Sequence, residues 1–328
     1  MNYRTLGKTN LNISEISLGT WQVGGKWGSG FDQQNAARIL HEAIDQGINF
    51  IDTADVYENR QSEAAVGKVI RERSEDVYIA TKCGRFINPH ISEAYQPAVL
   101  REFVETSLRN TGLERLDLVQ LHCPPTEVYY RQEIFEEFEK LQQEGKVANL
   151  GVSVEKVEEA LKAIEYPNVC TVQIIFNLFR HRPAELFFRE AKKRNVGIIA
   201  RVPLASGLLS GKYTKQTTFA ADDHRTFNRN GEAFDQGETF SGIDYDLGLE
   251  AVARLQELFP NDLELVHLAL KWILMFEEIS CVIPGVSKIE QLHSNLKALC
   301  IRELTESEME ATRAIYDEWI RPSVHHRW

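Results

Sequence analysis

Short apolar runs alternate with longer segments of helical period along almost the whole chain, and that alternation restricts the available folds more than any other feature. Eight runs read as strands: "ISLGT" (16–20), "NFID" (49–52), "VYIAT" (77–81), "LDLVQL" (116–121), "VANLGV" (147–152), "TVQII" (171–175), "VGIIARV" (196–202) and "SCVIPG" (280–285). Between them lie amphipathic segments such as "QQNAARILHEAIDQG", "QSEAAVGKVIRER" and "YRQEIFEEFEKLQQEGK". Gly47, Gly112 and Gly145 each follow such a segment, as a left-handed C-terminal cap requires. The strands are rich in Val, Ile and Leu with little alternation, the pattern of parallel strands buried on both faces. Eight β-then-α units predict an α/β fold, one (β/α)8 TIM barrel domain over residues 1–328. A doubly wound open sheet is the runner-up. Against it, "ISLGTWQVGG" lacks the GxGxxG fingerprint that opens a helix after the first strand of such a sheet.

Two segments fall outside the repeat. The opening "YRTLGKTNLNIS" reads as a short N-terminal β-hairpin turning at Gly7 to Asn10. Residues 213–246, after strand 7, form a long polar loop. Loops beyond about 12–15 residues are uncommon unless they carry a function, so this one is expected to cover a cofactor or substrate. The stretch 21–31 is expected to help shape the substrate site. The tail "RPSVHHRW" is expected to be disordered, or to touch substrate or a neighbouring subunit.

Composition narrows the function. A net charge of -11 is spread along the 328 residues with no basic block, which gives no purchase on nucleic acid or an anionic membrane. The apolar stretches fall short of the roughly 20 residues of a membrane span, and "MNYRTLGKTN" has no hydrophobic signal region. Five cysteines without a CxxC pair read as the reduced thiols of a cytoplasmic protein, with no disulfide and no cysteine-rich metal site.

In a barrel of this kind the functional groups sit at the C-terminal strand ends. Three successive strands place polar residues there: Asp52 after "NFI", Lys82 after "VYIAT" and His122 after "LDLVQL". Neighbouring strands lie about 4.8 Å apart, so these side chains can converge. Tyr57, in the loop beyond Asp52, can fold back over the mouth. Singly, Asp52 reads as a turn cap, Lys82 as a surface residue, His122 as a core histidine and Tyr57 as packing. At corresponding positions of consecutive units they read as one catalytic group. A tyrosine with a pKa of about 10 is a reluctant acid. A close ammonium is expected to depress that pKa, and a carboxylate to keep the ammonium charged and placed. Tyr57 then donates a proton to an oxygen gaining negative charge, and His122 orients that oxygen. A carbonyl receiving hydride presents such an oxygen, and hydride calls for a nicotinamide. A metal-dependent hydrolase built on Asp52 and His122 lacks further ligands, and Lys82 would repel the ion, so no metal is expected.

The segments "GINFIDTADVYENRQSE", "IATKCG", "LVQLHCPP" and "GVS", in this order, resemble the aldo-keto reductase superfamily, and the likeness runs on to "VIPGVSKIEQLHSN". The resemblance implies a barrel that binds NADPH (NADP+) without a Rossmann fold and reduces a small-molecule carbonyl, an aldehyde or ketone, to the alcohol. It places the catalytic tetrad on Asp52, Tyr57, Lys82 and His122. It also implies that Thr20, Trp21 and Asp52 line the nicotinamide side, with Ser153 and Gln173 on the carboxamide. "PLASGLLSGKY" resembles a pyrophosphate loop, which implicates Leu204, Ser206, Gly207 and Lys212. Gly285, Ser287, Gln291 and Asn295 match adenosine-phosphate contacts, and Lys288 opens the following helix, where a phosphate is favoured.

Three departures stand out. Arg201 stands where an aromatic residue commonly stacks on the nicotinamide; a guanidinium also stacks, and its charge would favour the reduced cofactor. Val154 replaces a common Asn after Ser153. Gln291 replaces an arginine that often clamps the 2′-phosphate, so NADPH preference would lean on Lys288, Arg225 or Arg229, with NADH the alternative. Cys83 and Cys123 follow Lys82 and His122 directly and are expected to point away from the site. The competing reading is a nicotinamide-binding redox sensor with little turnover, like the potassium-channel β-subunits on this scaffold.

Overall fold

The computed structural model describes residues 1–25, 30–259 and 263–328, so part of the 21–31 stretch lies outside the described residues. Strands β1 (Tyr3–Thr5) and β2 (Asn12–Ser14) pair antiparallel, with Tyr3 opposite Ser14. The hairpin turn needs a glycine at residue 7. Gly7 has φ +52, and a Cβ there would lie 2.1 Å from the backbone nitrogen of Gly197. The hairpin therefore seats on the barrel foot, where Leu6 and Ile13 pack with Phe50, Ala80, Leu118, Ile199 and Cys281. An apolar plug at that end leaves the other end for chemistry.

Eight parallel strands follow in chain order: β3 (Leu18–Gly19), β4 (Phe50–Asp52), β5 (Tyr78–Cys83), β6 (Leu116–His122), β7 (Val147–Ser153), β8 (Val169–Ile175), β9 (Gly197–Arg201) and β10 (Ile279–Val282). Each pairs with its sequence neighbour, and single bridges from Ile16 to Val282 and from Gly19 to Gly285 join the last strand to the first. The seam is hydrogen-bonded: Ser17 N–H donates to Val282 O at 2.9 Å and Val282 N–H to Glu15 O at 2.9 Å. The predicted (β/α)8 barrel is the fold observed. Strands β5, β6 and β7 run one or two residues beyond their apolar runs, so Lys82, His122 and Ser153 lie within strands.

Helices α1 (Gln33–Asp45), α2 (Gln61–Glu72), α3 (Pro97–Thr111), α4 (Gln132–Gln143), α5 (Val157–Ala163) and α6 (Phe187–Lys193) cover the first six strands. Gly47, Gly112 and Gly145 have φ +88, +67 and +74, so all three end their helices as expected. Beyond β9 the chain forms 3-10 turns, a short α7 (His224–Phe227), then α8 (Tyr245–Leu258) and α9 (Leu265–Leu274); α10 (Ile289–Leu296) follows β10. Among the described residues no helix is long and apolar enough to cross a membrane.

The tail departs from expectation. After α11 (Glu306–Ile315), a π turn and α12 (Arg321–Val324), the final residue Trp328 is only 4% exposed. Its indole N–H donates to Asp235 Oδ1 at 2.8 Å, and the Arg180 guanidinium lies 4.0 Å from its ring centroid. The tail's order rests on this aromatic anchor against the long loop, on Val324, fully buried in the core, and on His325, whose Nδ1 lies 2.8 Å from Tyr316 Oη.

Candidate active site

Pairing register decides which polar side chains meet. Asp52 lies opposite Ala80, Lys82 opposite Gln120, and Ser153 opposite both His122 and Gln173. Because strand side chains alternate, Gln120 and His122 point to the same side of β6. The Lys82 ammonium, buried, spends its donors on Asp52 Oδ1 at 2.5 Å, Thr53 O at 2.9 Å and Tyr57 Oη at 3.3 Å. Asp52 Oδ2 accepts from Gln173 Nε2 at 2.8 Å and Gln120 Nε2 at 3.1 Å. A buried carboxylate is thus ringed by donors, and a buried ammonium by acceptors. Burial pulls the Lys82 pKa down, but the charges of Asp52 and Tyr57 more than offset it and the net shift is upward. The lysine stays charged.

Tyr57 reaches the ammonium because the chain turns sharply after it. Glu58, Asn59 and Arg60 have φ 45, 49 and 73, three successive left-handed residues before α2. The turn is pinned: Asn110 Nδ2 donates to Arg60 O at 2.9 Å, and the Arg60 guanidinium lies 5.1 Å from the Phe86 ring centroid. One expectation is corrected here. Burial raises the Tyr57 pKa, and although Lys82 pulls it down, Asp52 and Glu238 push it further up, so the net direction is upward. Lys82 moderates the rise without reversing it.

His122 faces the Tyr57 ring edge-on, with centroids 6.0 Å apart. Burial, then the charges of Arg85, Lys82 and Arg201, hold its pKa well below the usual value, so the imidazole is neutral. Its Nδ1 is buried without a hydrogen-bond partner, and a neutral ring can offer one N–H to an incoming oxygen. Cys83 and Cys123 are buried; burial pushes Cys83 well above its usual pKa and Cys123 up to about 12. Both thiols are protonated, but Cys123 does not point away as expected: Arg201 Nη2 lies 3.6 Å from its Sγ at the mouth.

The residues implicated in cofactor binding fall into two groups. Around the mouth, Thr20 Oγ1 donates to Asp52 O at 3.0 Å and accepts from Ser62 Oγ at 2.9 Å. Trp21 stacks near Tyr57 with centroids 6.5 Å apart. Ser153 Oγ lies 3.5 Å from Cys123 Sγ, while the Gln173 amide nitrogen is engaged with Asp52. Arg201 donates to Val154 O at 3.0 Å and lies 3.4 Å from Glu238 Oε1. The second group follows β9 and β10, the adjacent strands whose loops commonly hold phosphate in barrels. There Ser206 and Gly207 lie in the turn Ala205–Ser210, flanked by Leu204 and Lys212; Gly285, Ser287, Lys288 and Gln291 lie around the start of α10, and Asn295 near its end. Gln291 Oε1 accepts from Ser287 N–H at 2.8 Å, folding back onto the residue before the helix N-cap, whereas Asn295 is buried. Ser206 Oγ is occupied by the long loop, donating to Glu238 O at 3.0 Å and accepting from Phe240 N–H at 3.0 Å. Arg225 is tied to Asp223 and Tyr213, and Arg229 lies 5.1 Å from the Phe240 ring, so both suggested phosphate arginines are engaged inside the loop.

Sequence reasoning missed several members of the site. Gln120 was visible in principle, as a polar residue two positions before His122 in an apolar run. Arg85, Glu155, His224, Phe234 and Glu238 carried no such signal. The long loop brings His224 to 4.7 Å and Phe234 to 6.3 Å from Trp21, between ring centroids, and delivers Glu238 to the mouth. Cys123, Glu155 and Glu238 offer ligand atoms within 4.8 Å of one another, but the guanidinium groups of Arg85 and Arg201 flank them and the thiol is protonated. Two fixed cations there oppose a metal ion.

The sequence matches the Aldo/keto reductase family over residues 15–317. An uncharacterized oxidoreductase of Bacillus subtilis (strain 168), YqkF, is 32% identical over 317 residues, 96% of each chain. A probable voltage-gated potassium channel subunit beta of Arabidopsis thaliana is 27% identical over 91% of each chain. The structure of the glycerol dehydrogenase AKR11B4 of Gluconobacter oxydans matches with a TM-score of 0.76 at 30% identity, covering 99% of this chain and 96% of its own.

Proposed function

Because the chain belongs to the aldo/keto reductase family, we propose that it is an NADPH-dependent oxidoreductase that reduces an aldehyde or ketone to the alcohol, with Tyr57 as the proton donor. The carrying observation is the relay in which Asp52 holds Lys82 at 2.5 Å and Lys82 reaches the Tyr57 hydroxyl at 3.3 Å. The neutral His122 ring stands edge-on to the Tyr57 ring, centroids 6.0 Å apart.

The residues present fit a nicotinamide dinucleotide. Gly285 is exposed, and a Cβ there would meet nothing closer than 3.9 Å, so its backbone is open to close approach. Lys288 and Lys212 are exposed cations suited to phosphate. When bound, the cofactor supplies hydride to the carbonyl carbon. Tyr57 gives its proton to the carbonyl oxygen as charge builds there, and Lys82 stabilises the phenolate left behind. Asp52 keeps Lys82 charged and placed, and His122, neutral, positions the oxygen through one N–H. A phenol whose pKa lies above its usual value stays protonated at neutral pH, which suits a donor.

The second reading, a redox sensor with little turnover, draws on the channel-subunit relative and on a loop packed over the mouth. A fluorescence titration with NADPH and NADH, followed by steady-state turnover on aldehydes and ketones, separates the two. Tight NADPH binding with turnover supports the reductase. Tight binding without turnover supports the sensor, and no binding of either nucleotide overturns both.

A further inference from the structure

The barrel mouth holds two arginines that proton donation to a carbonyl does not require. Arg85 follows β5 and Arg201 ends β9, and both lean on one carboxylate from the long loop. Glu238 Oε1 lies 3.5 Å from Arg85 Nη1 and 3.4 Å from Arg201 Nη1. Well-formed arginine–carboxylate pairs close to about 2.7–2.9 Å, often through two parallel bonds. Neither contact here reaches hydrogen-bond geometry, and Glu238 Oε1 and Arg201 Nε are both buried without a partner. The loop presents a carboxylate to a double-arginine site and fails to satisfy it.

The pair belongs to the reaction centre. The charges of Arg85 and Arg201 help keep His122 neutral, and the charge of Glu238 is felt at Tyr57. Glu155, the other acid beside Arg85, is held above its usual pKa by burial and by the charge of Glu238. The carboxylate that both arginines share is that of Glu238, carried on the long loop.

We propose that Arg85 and Arg201 recognise a carboxylate on the substrate, so that the preferred substrate is an aldehyde or ketone bearing a carboxylate, which replaces Glu238 between them as the loop lifts. The inference rests on the reading of Tyr57 as proton donor to a carbonyl. The substrate's carboxylate would restore the charge that Glu238 removes on leaving. It is also free to align with the guanidinium forks, as a side chain tethered to the loop is not.

The test compares kcat/KM for 4-carboxybenzaldehyde and its neutral methyl ester, methyl 4-formylbenzoate, on the full chain with saturating NADPH. The acid is expected to be favoured by about tenfold or more, the scale of a hydrogen bond to a charged group in a dry site. Arg85→Gln should bring the acid-to-ester ratio toward one through the KM of the acid, with Arg85→Lys keeping part of the preference. Glu238→Gln, which removes the competing charge, should raise the ratio by lowering that KM. Equal use of acid and ester by the wild type overturns the inference while leaving the reductase reading intact. So does an Arg85→Gln variant that loses both substrates in equal proportion. If neither these nor any other aldehyde or ketone is reduced, the reductase reading falls and this inference with it.

Discussion

Asp52→Asn removes a negative charge from a side chain that gathers donors from three residues. Lys82 Nζ stands at 2.5 Å, Gln173 Nε2 at 2.8 Å and Gln120 Nε2 at 3.1 Å. An amide offers one oxygen, so its NH2 group must face at least one of those donors. Whichever way the amide turns, the Lys82 ammonium, 0% exposed, loses its counter-charge and keeps only neutral acceptors. Removing one partner of a buried ion pair costs about 3–5 kcal/mol. Each kcal/mol moves the melting point of a domain somewhat smaller than this by about 2–4 °C, so the variant is expected to melt roughly 6–20 °C lower. Adding Lys82→Met removes the stranded ammonium. The double variant should therefore be more stable than the sum of the single losses predicts, while reduction stays impaired. Urea and thermal unfolding of all four members of the cycle, with NADPH consumption followed in parallel, provide the assay. Single losses that add to the double loss within about 0.5 kcal/mol would mean that the pair is not coupled, and the proposed relay would be refuted.

Other expectations concern protons and the loop. Asp55 is buried with both carboxylate oxygens unpartnered, and burial, then Glu63, pushes its pKa to about 7. Between about pH 4 and 7 the folded protein holds a proton that the unfolded chain has released, so unfolding free energy falls as pH rises through that window. Asp55→Asn should flatten that slope in urea titrations, and an unchanged slope would contradict the assignment. Because His122 is held neutral, kcat/KM for reduction should show no inflection near the ordinary histidine value of about 6.5. An acid limb there that disappears in His122→Gln would be the contrary result. Trp328→Ala removes a buried ring that holds Asp235 and Arg180. It should cost about 3–5 kcal/mol and speed proteolytic cleavage within 213–246; unchanged melting and cleavage would show that the anchor does not matter.

Strand periodicity exposed the barrel because each strand is apolar on both faces, and the glycine caps marked where helices stop. Asp52, Lys82 and His122 were legible for the same reason. A polar residue at the end of an otherwise apolar run is conspicuous, and register then brings such residues together. Tyr57 was legible only through its neighbours, since its position depends on the left-handed turn from Glu58 to Arg60. What stayed hidden depends on contacts remote in sequence. Glu238 lies more than a hundred residues from Arg85 in a loop without periodicity, and Trp328 is buried by partners that no local pattern specifies. The direction of the Tyr57 shift was misjudged because charge was weighed without burial, and burial is the larger cause.

Tyr57→Phe deletes one oxygen, the one 3.3 Å from the Lys82 ammonium, and leaves the ring in place. Single-turnover oxidation of pre-bound NADPH by an aldehyde that the wild type reduces is the most direct measurement. The rate should fall by about 10²–10⁴-fold, the usual contribution of a positioned acid, with NADPH affinity unchanged. A variant that oxidises NADPH at the wild-type rate would contradict the role given to Tyr57.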